Sequence, residues 1–411
     1  MFNEFRFAPV LVIALAACST PSEIVEAPLL LEEPAADVET ITPHSPKVSG
    51  RVRAGVLTAG DIDDGQNLPA FQHMAAKATA SLDLPNPGGG QSLLVTLIGP
   101  NGAPAPGVRV TLRRPGAETA FYDGYTGVGG RLLLFPNVLG QGRLGEVELR
   151  AFGDRAPLVQ TVRPGRANVI ALPDTAEWSP DFLDLAFAVD TTGSMADELA
   201  WLERDLIRVV DQARKIRPGL RIRYGLVTYK DQGDEYVVRN YGFTDNARTM
   251  SDWLRGERAS GGGDYPEAAA QALETAVGLD WRRGKGERLL FHIADAPPHR
   301  RDAKTYLNAA SNAARNRVQV FGLGASGVAD EAEYLMRQAS LVTGGRYLFL
   351  TDDSGVGFAH AEPRVSCYRV TSLSGLMRRV LMSELSGKRF EATQQNTIRE
   401  VGTYRAGRCL N

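Results

Sequence analysis

Cysteine is scarce in this 411-residue chain: three occur, too few for a disulfide scaffold, and no two stand at the CxxC spacing of a zinc or thioredoxin-like site. Five histidines and no HExxH disfavour a zinc hydrolase. No excess of one charge is present, with 46 basic and 48 acidic residues and a formal charge of −2, which argues against a nucleic-acid partner. No GxSxG elbow occurs, and Gly284-Lys285-Gly286 lacks both the spacing of a phosphate loop and its hydroxyl residue. What remains is an ordinary globular composition, 43% apolar and 23% charged, long enough for two or three domains.

The first specific signal is amino-terminal. Phe7 to Ala17 is almost wholly apolar, follows Arg6, and ends in small residues at Cys18. The run is too short to span a bilayer but has the length of a signal-peptide core. Leu15-Ala16-Ala17-Cys18 resembles the bacterial lipobox, which implies a signal peptide at 1–17 and a lipid on Cys18. Residues 18–48, rich in Pro, Glu, Ala, Ser and Thr, read as a flexible tether. Ser19 carries no acidic retention signal, so the resemblance places the protein in the cell envelope and favours the outer membrane over the inner. With Cys18 lipidated, Cys367 and Cys409 are the remaining thiols, in a compartment that permits a disulfide between them.

Residues 49–175 show short apolar runs separated by Gly, Pro and Asn, among them Leu93 to Ile98, Val108 to Leu112, Leu132 to Phe135, Glu146 to Ala151 and Asn168 to Leu172. Such spacing predicts an all-β sandwich. The stretch Asn101 to Val110, followed by Thr126-Gly127-Val128-Gly129-Gly130-Arg131-Leu132, resembles the carboxypeptidase regulatory-like modules. Ahead of it, Asp61-Ile62-Asp63-Asp64-Gly65-Gln66-Asn67 has alternating oxygen donors and a glycine as in a calcium loop, without the closing glutamate of an EF-hand; a plain turn is the competing reading.

From 180 to 390, strands and helices alternate as in an α/β fold with a doubly wound, mainly parallel sheet. Leu185 to Val189 is apolar throughout, as a strand buried on both faces should be. Ile222 to Tyr229, Arg288 to Ala294, Val318 to Leu323 and Arg346 to Leu350 read as further strands, with helical stretches near 199–213, 247–256, 266–279, 302–316 and 329–342, a final helix over Leu373 to Leu385, and a tail from 391 to 411.

At the end of the first of these strands stands Asp190-Thr191-Thr192-Gly193-Ser194. A carboxylate and two hydroxyls at i, i+2 and i+4 gather hard oxygen donors in a turn at the edge where α/β sheets bind ligands. The spacing resembles the Asp-x-Ser-x-Ser motif of the von Willebrand factor type A domain, with Thr192 for the first serine. Ser260-Gly261-Gly262-Gly263-Asp264-Tyr265-Pro266-Glu267-Ala268 is similar to that family's second metal loop, with Asp264 where a threonine is usual, and Leu289 to Asp295 is similar to the third. The resemblance implies a metal-ion-dependent adhesion site: Asp190, Thr192, Ser194, Asp264 and Asp295 around Mg²⁺, with Mn²⁺ or Ca²⁺ as alternatives. The implied partner is a protein that offers a carboxylate.

Gly322-Leu323-Gly324-Ala325-Ser326-Gly327 satisfies GxGxxG, but it follows a late strand and resembles the Gly-x-Gly turn of the type A family, so no nucleotide is expected. Asp231, His299 and His360 read as loop residues. The expected protein is non-enzymatic, held to the membrane by lipid, and binds its partner through the metal; the alternative is a structural envelope protein with a degenerate metal site.

Overall fold

A strand with parallel neighbours on both sides, here the central strand, organises the main sheet of the computed structural model, which describes residues 47–48, 56–153, 156–174, 178–355, 360–405 and 407–410. The signal segment, Cys18 and most of the tether lie outside the described residues. All nine residues of Phe182–Asp190 are buried. Leu183, Leu185, Phe187 and Val189 join the core beneath one helical layer, while Ala186 and Ala188 join the other, the two-residue period of a strand covered on both faces.

This strand pairs in parallel with Arg221–Tyr229 on one side and with Glu287–Ala294 on the other. Gln319–Gly324 and Tyr347–Thr351 continue the parallel set. The chain leaves the central strand towards Arg221–Tyr229 and later resumes on its far side, so the strand order reverses beside Asp190. That reversal opens a crevice at the carboxyl edge. Helices Ala196–Ile216, Ala247–Gly256 and Leu373–Ser386 cover one face of the sheet. Leu68–Leu82, Ala269–Val277, Ala303–Arg315 and Asp330–Thr343 cover the other.

The smaller β domain has two sheets. Arg109–Arg113 sits between Tyr122–Tyr125 and Val147–Phe152, with Leu158–Val162 outermost, all antiparallel. Leu93–Ile98 lies between Arg131–Leu134 and Ala167–Ala171. Alternate residues such as Leu93, Val95 and Leu97 meet Val110, Leu112 and Leu149 in the sandwich core. Sandwich and α/β layers belong to one compact unit.

The sandwich is narrower than the 49–175 segment expected for it. Thr58–Ile62 instead enters the main sheet, antiparallel to Tyr347–Thr351 and to Tyr368–Ser372, and Leu68–Leu82 is a helix against the α/β core. All five residues of Thr58–Ile62 are buried although only two are hydrophobic. Gly60 leaves room for the Phe349 ring, whose nearest atom would lie 2.4 Å from a Cβ there, and the Asp61 carboxylate is paired with Arg346 at 2.9 Å. Also outside the sequence pattern are Val238–Thr244, half-buried at one edge of the sheet, Tyr368–Ser372, and in the sandwich Tyr122–Tyr125 and Leu158–Val162. Part of the tail also returns to the sheet, as Arg399–Val401 pairs with Tyr368–Ser372.

The calcium loop is not available as one. Asp61 is held by Arg346, Asp64 by Arg337 at 2.7 and 2.9 Å, and Asp63 by Arg389. These guanidiniums neutralise the carboxylates a cation would need, which leaves Asp61 and Ile62 in the strand and Asp63 to Asn67 as a turn.

Candidate metal site at the carboxyl edge

The central strand ends at Asp190, whose side chain bends back over the turn that follows. Its Oδ1 accepts from the Thr192 backbone amide at 2.9 Å and from the Thr192 hydroxyl at 2.8 Å, and that hydroxyl lies 3.1 Å from Ser194 Oγ. Thr192 has extended backbone angles, then Gly193–Met195 makes a single 3₁₀ turn into the helix Ala196–Ile216. Thr191 is turned the other way, its hydroxyl donating to Tyr229 O at 2.9 Å. Asp190 and Thr192 are fully buried, whereas Ser194 is exposed, so the donor set opens outward at the serine.

Two further loops close on this turn. Gly193 donates to Gly261 O at 2.9 Å, and Ser260 donates to Thr191 O at 3.1 Å. Lys230, only 1% exposed, donates from Nζ to the carbonyl oxygens of Thr191, Ser260 and Arg258 at 2.5, 2.6 and 3.0 Å. Asp234 accepts from the amides of Asp231 and Gly262 at 3.0 and 2.9 Å. Gly261 and Gly262 both have positive φ, and a Cβ on Gly261 would strike the Asp234 carboxylate at 2.2 Å, so glycine is required there.

The sequence placed the second-loop carboxylate at Asp264. In the structure Asp264 is exposed, and the acid that turns inward is Glu267, 3% exposed and beside Thr192. The Glu267 amide is anchored on Pro297 O at 3.0 Å, which ties the second loop to the third. Asp295 is 4% exposed at the end of Glu287–Ala294. Three buried carboxylate oxygens in this corner have no hydrogen-bond partner: Asp190 Oδ2, Glu267 Oε2 and Asp295 Oδ1.

Unpaired buried carboxylates are costly, and the electrostatics show it. Burial, then the charge of Asp295, pushes the Asp190 carboxyl above its ordinary range. Burial raises Asp295 as well, against the Ser194 hydroxyl that favours its charge. Burial, with Asp190, Asp231 and Asp295 adding, lifts Glu267 to about 9. A divalent cation would relieve all three, so the residues fit the group that the resemblance implies. Among the described residues no three His, Cys, Asp or Glu side chains are placed to hold an ion by themselves, which makes the hydroxyls of Thr192 and Ser194 part of any donor set.

Several residues read from sequence as loop positions are structural. Asp231, expected as a solvated turn, is 5% exposed and binds His299 Nε2 at 2.7 Å. His360 is buried between Glu198 at 2.8 Å and Asp352 at 2.8 Å. In the GxGxxG turn the backbone groups are engaged within the protein: the Ser326 amide donates to Glu198 at 3.1 Å, Gly327 O accepts from the Tyr265 hydroxyl at 3.0 Å, and the Ala329 amide donates to that same hydroxyl at 2.8 Å.

Residues 184–352 match the family model described as von Willebrand factor A domain. The chain is 32% identical over 136 residues to an ariadne-like RING finger protein of Acanthamoeba polyphaga mimivirus, a match over 32% of this chain and 12% of that protein. It is 28% identical over 138 residues to an alpha-protein kinase of Dictyostelium discoideum, over 33% of this chain and 21% of that one. The chain thus spans a small part of the length of both relatives. Among solved structures it is similar to BatB from Bacteroides thetaiotaomicron, at 16% identity and a TM-score of 0.33, covering 41% of this chain and 89% of that one. An aerotolerance-related membrane protein from Bacteroides fragilis gives 12% identity and a TM-score of 0.31, covering 49% and 98%.

Proposed function

We propose that the von Willebrand factor A domain of this chain is a non-catalytic binding module, which takes a divalent cation at the carboxyl edge of its sheet and uses it to hold a protein partner. The observation that carries this reading is the trio of buried, unpartnered carboxylate oxygens on Asp190, Glu267 and Asp295 around the Thr192 and Ser194 hydroxyls. Mg²⁺, or Mn²⁺ or Ca²⁺ in its place, would supply a positive charge on which a partner carboxylate can settle. Thr192 and Ser194 offer neutral oxygens, Asp190 and Asp295 charged ones, and Lys230 holds the first two loops together. Mg²⁺ accepts six oxygens and retains water among them, so the exposed Ser194 side leaves room for an incoming group.

Glu267 favours a second reading. A third carboxylate beside a dication leaves the corner net negative, which strengthens cation binding and weakens its attraction for an acidic partner. In that case the ion serves only to pin the loops, and the domain packs against envelope neighbours. Calorimetry with Mg²⁺ and Mn²⁺ tests the site: no binding by the wild type removes both metal readings. Partner capture from envelope extract with and without EDTA then separates them, because capture that ignores EDTA supports the structural role.

The proposed location is the bacterial cell envelope, through a lipid on Cys18 and the tether behind it. Among the described residues no helix is long and apolar enough to cross a membrane.

A further inference from the structure

Away from the carboxyl edge, a cavity of about 190 Å³ lies at the seam between the sandwich and the α/β layers. One end is walled by Tyr122, Tyr125 and Trp178, the last two with ring centroids 6.1 Å apart; of the five arginines that line it, Arg346 and Arg389 are paired with Asp61 and Asp63, while Arg131, Arg288 and Arg317 have no carboxylate within 4.0 Å among the described residues.

Arg317 holds this place at a conformational cost. It follows the helix Ala303–Arg315 with φ of +57°, and it is one of two non-glycine residues with positive φ among the described residues. At this point after a helix, glycine is the residue without strain, and any other side chain costs about 1 kcal/mol. The side chain reaches the Tyr125 ring, 5.7 Å from its centroid, and among the described residues it has no carboxylate within 4.0 Å. Arg288 is 3% exposed and spends its donors on backbone carbonyls, those of Arg282, Gly284 and Gly286, likewise with no carboxylate within 4.0 Å.

From this arrangement we infer that the seam cavity binds a small oxyanion of the phosphate or carboxylate class, held by Arg317 and Arg288 against the aromatic wall. Guanidiniums that face one cavity with no carboxylate within 4.0 Å among the described residues are what such a ligand neutralises; Arg317 offers its planar fork, and Arg288, with three N–H groups spent on carbonyls, adds its charge and its remaining donors. The Arg288 guanidinium is pushed down to about 10, by burial first and then by the charge of Arg317. Glu287 and Glu384 line the same cavity, and burial raises both carboxyls, to about 8 and about 7, which favours their neutral forms.

The test uses the full chain, with inorganic phosphate and succinate as separate probes in calorimetry and thermal melts. Wild type should bind at least one of them and gain melting temperature, and the probe that binds names the class. Arg317→Gly relieves the positive φ, so it should fold at least as stably as wild type while losing about tenfold or more in affinity. Arg288→Gln should weaken the same probe. If neither probe binds wild type, or if Arg317→Gly binds as tightly, the inference is overturned.

Discussion

The Nζ of Lys230 lies 2.6 Å from the carbonyl oxygen of Ser260 and 2.5 Å from that of Thr191, so one ammonium joins the loop after the central strand to the glycine-rich loop opposite. Burial holds the ammonium below its ordinary range, while Asp234 and Glu257 favour its charge. Replacing it by methionine keeps the stem but leaves the oxygens of Arg258 and Ser260 without that donor and Thr191 O with the Ser260 amide alone. Lys230→Met should therefore destabilise by about 3 kcal/mol and weaken metal binding with it. Urea titration and calorimetry check both; an unchanged metal affinity would show that the loops hold their positions without the lysine.

Asp190→Ala should abolish binding of Mg²⁺ and Mn²⁺, because it removes the carboxylate that organises Thr192. Glu267→Thr should weaken the cation but strengthen metal-dependent capture of an acidic partner. Asp264→Ala should change metal affinity by no more than about twofold, as expected of an exposed charge. A larger loss in Asp264→Ala than in Glu267→Thr would return the second-loop role to Asp264.

His360 supplies the pH dependence. Burial opposes its charge, but hydrogen bonds with Glu198 and Asp352 outweigh that and raise it above its ordinary value. A raised histidine contributes stability that is complete below its unfolded value of about 6.5 and is lost as pH rises through the folded one. The destabilisation caused by His360→Gln should thus be largest near about pH 5.5 and shrink above about pH 8. Urea melts across that range decide it, and a gap that widens with pH would contradict the ion-pair account.

Cys367 and Cys409 form the expected disulfide, with Cα atoms 5.4 Å apart. Asn67 clasps the same tail, donating to Gly407 O at 2.7 Å and accepting from the Cys409 amide at 3.0 Å. Closing a loop of this length stabilises by about 4 kcal/mol at most. Cys409→Ser should lower the melting temperature and speed proteolysis of the tail while metal affinity stays unchanged. Two free thiols in unreduced protein from the envelope would show that the bond does not form there.

Cys18→Ser should abolish lipid labelling and release the protein from the membrane fraction. Stable anchoring needs more than one acyl chain, so retention without the cysteine would require another attachment.

Much of the α/β architecture was legible because it is written locally. Leu185 to Val189 reads as a strand covered on both faces, and the apolar stripe from Leu199 to Ala213 as a helix against it. Thr58–Ile62 was illegible for the opposite reason. Its residues are Thr, Ala, Gly, Asp and Ile, and they are buried by what Phe349 and Arg346 bring to them. Glu267 had one faint signal, an acid immediately before the apolar run Ala268 to Ala270, where a helix was about to enter the core.

The sequence by itself determined that Asp190, Thr192 and Ser194 would crowd one turn at a sheet edge, because strand, turn and helix follow from hydrophobic period and residue spacing. Only the tertiary structure decided which acids are free for a cation. Asp61, Asp63 and Asp64 are neutralised by arginines 285, 326 and 273 positions away, whereas Asp190, Glu267 and Asp295 are brought together from three separate loops and left unpaired. A carboxylate's chemistry depends on its desolvation and its nearest countercharge, and both are set by neighbours remote in the chain.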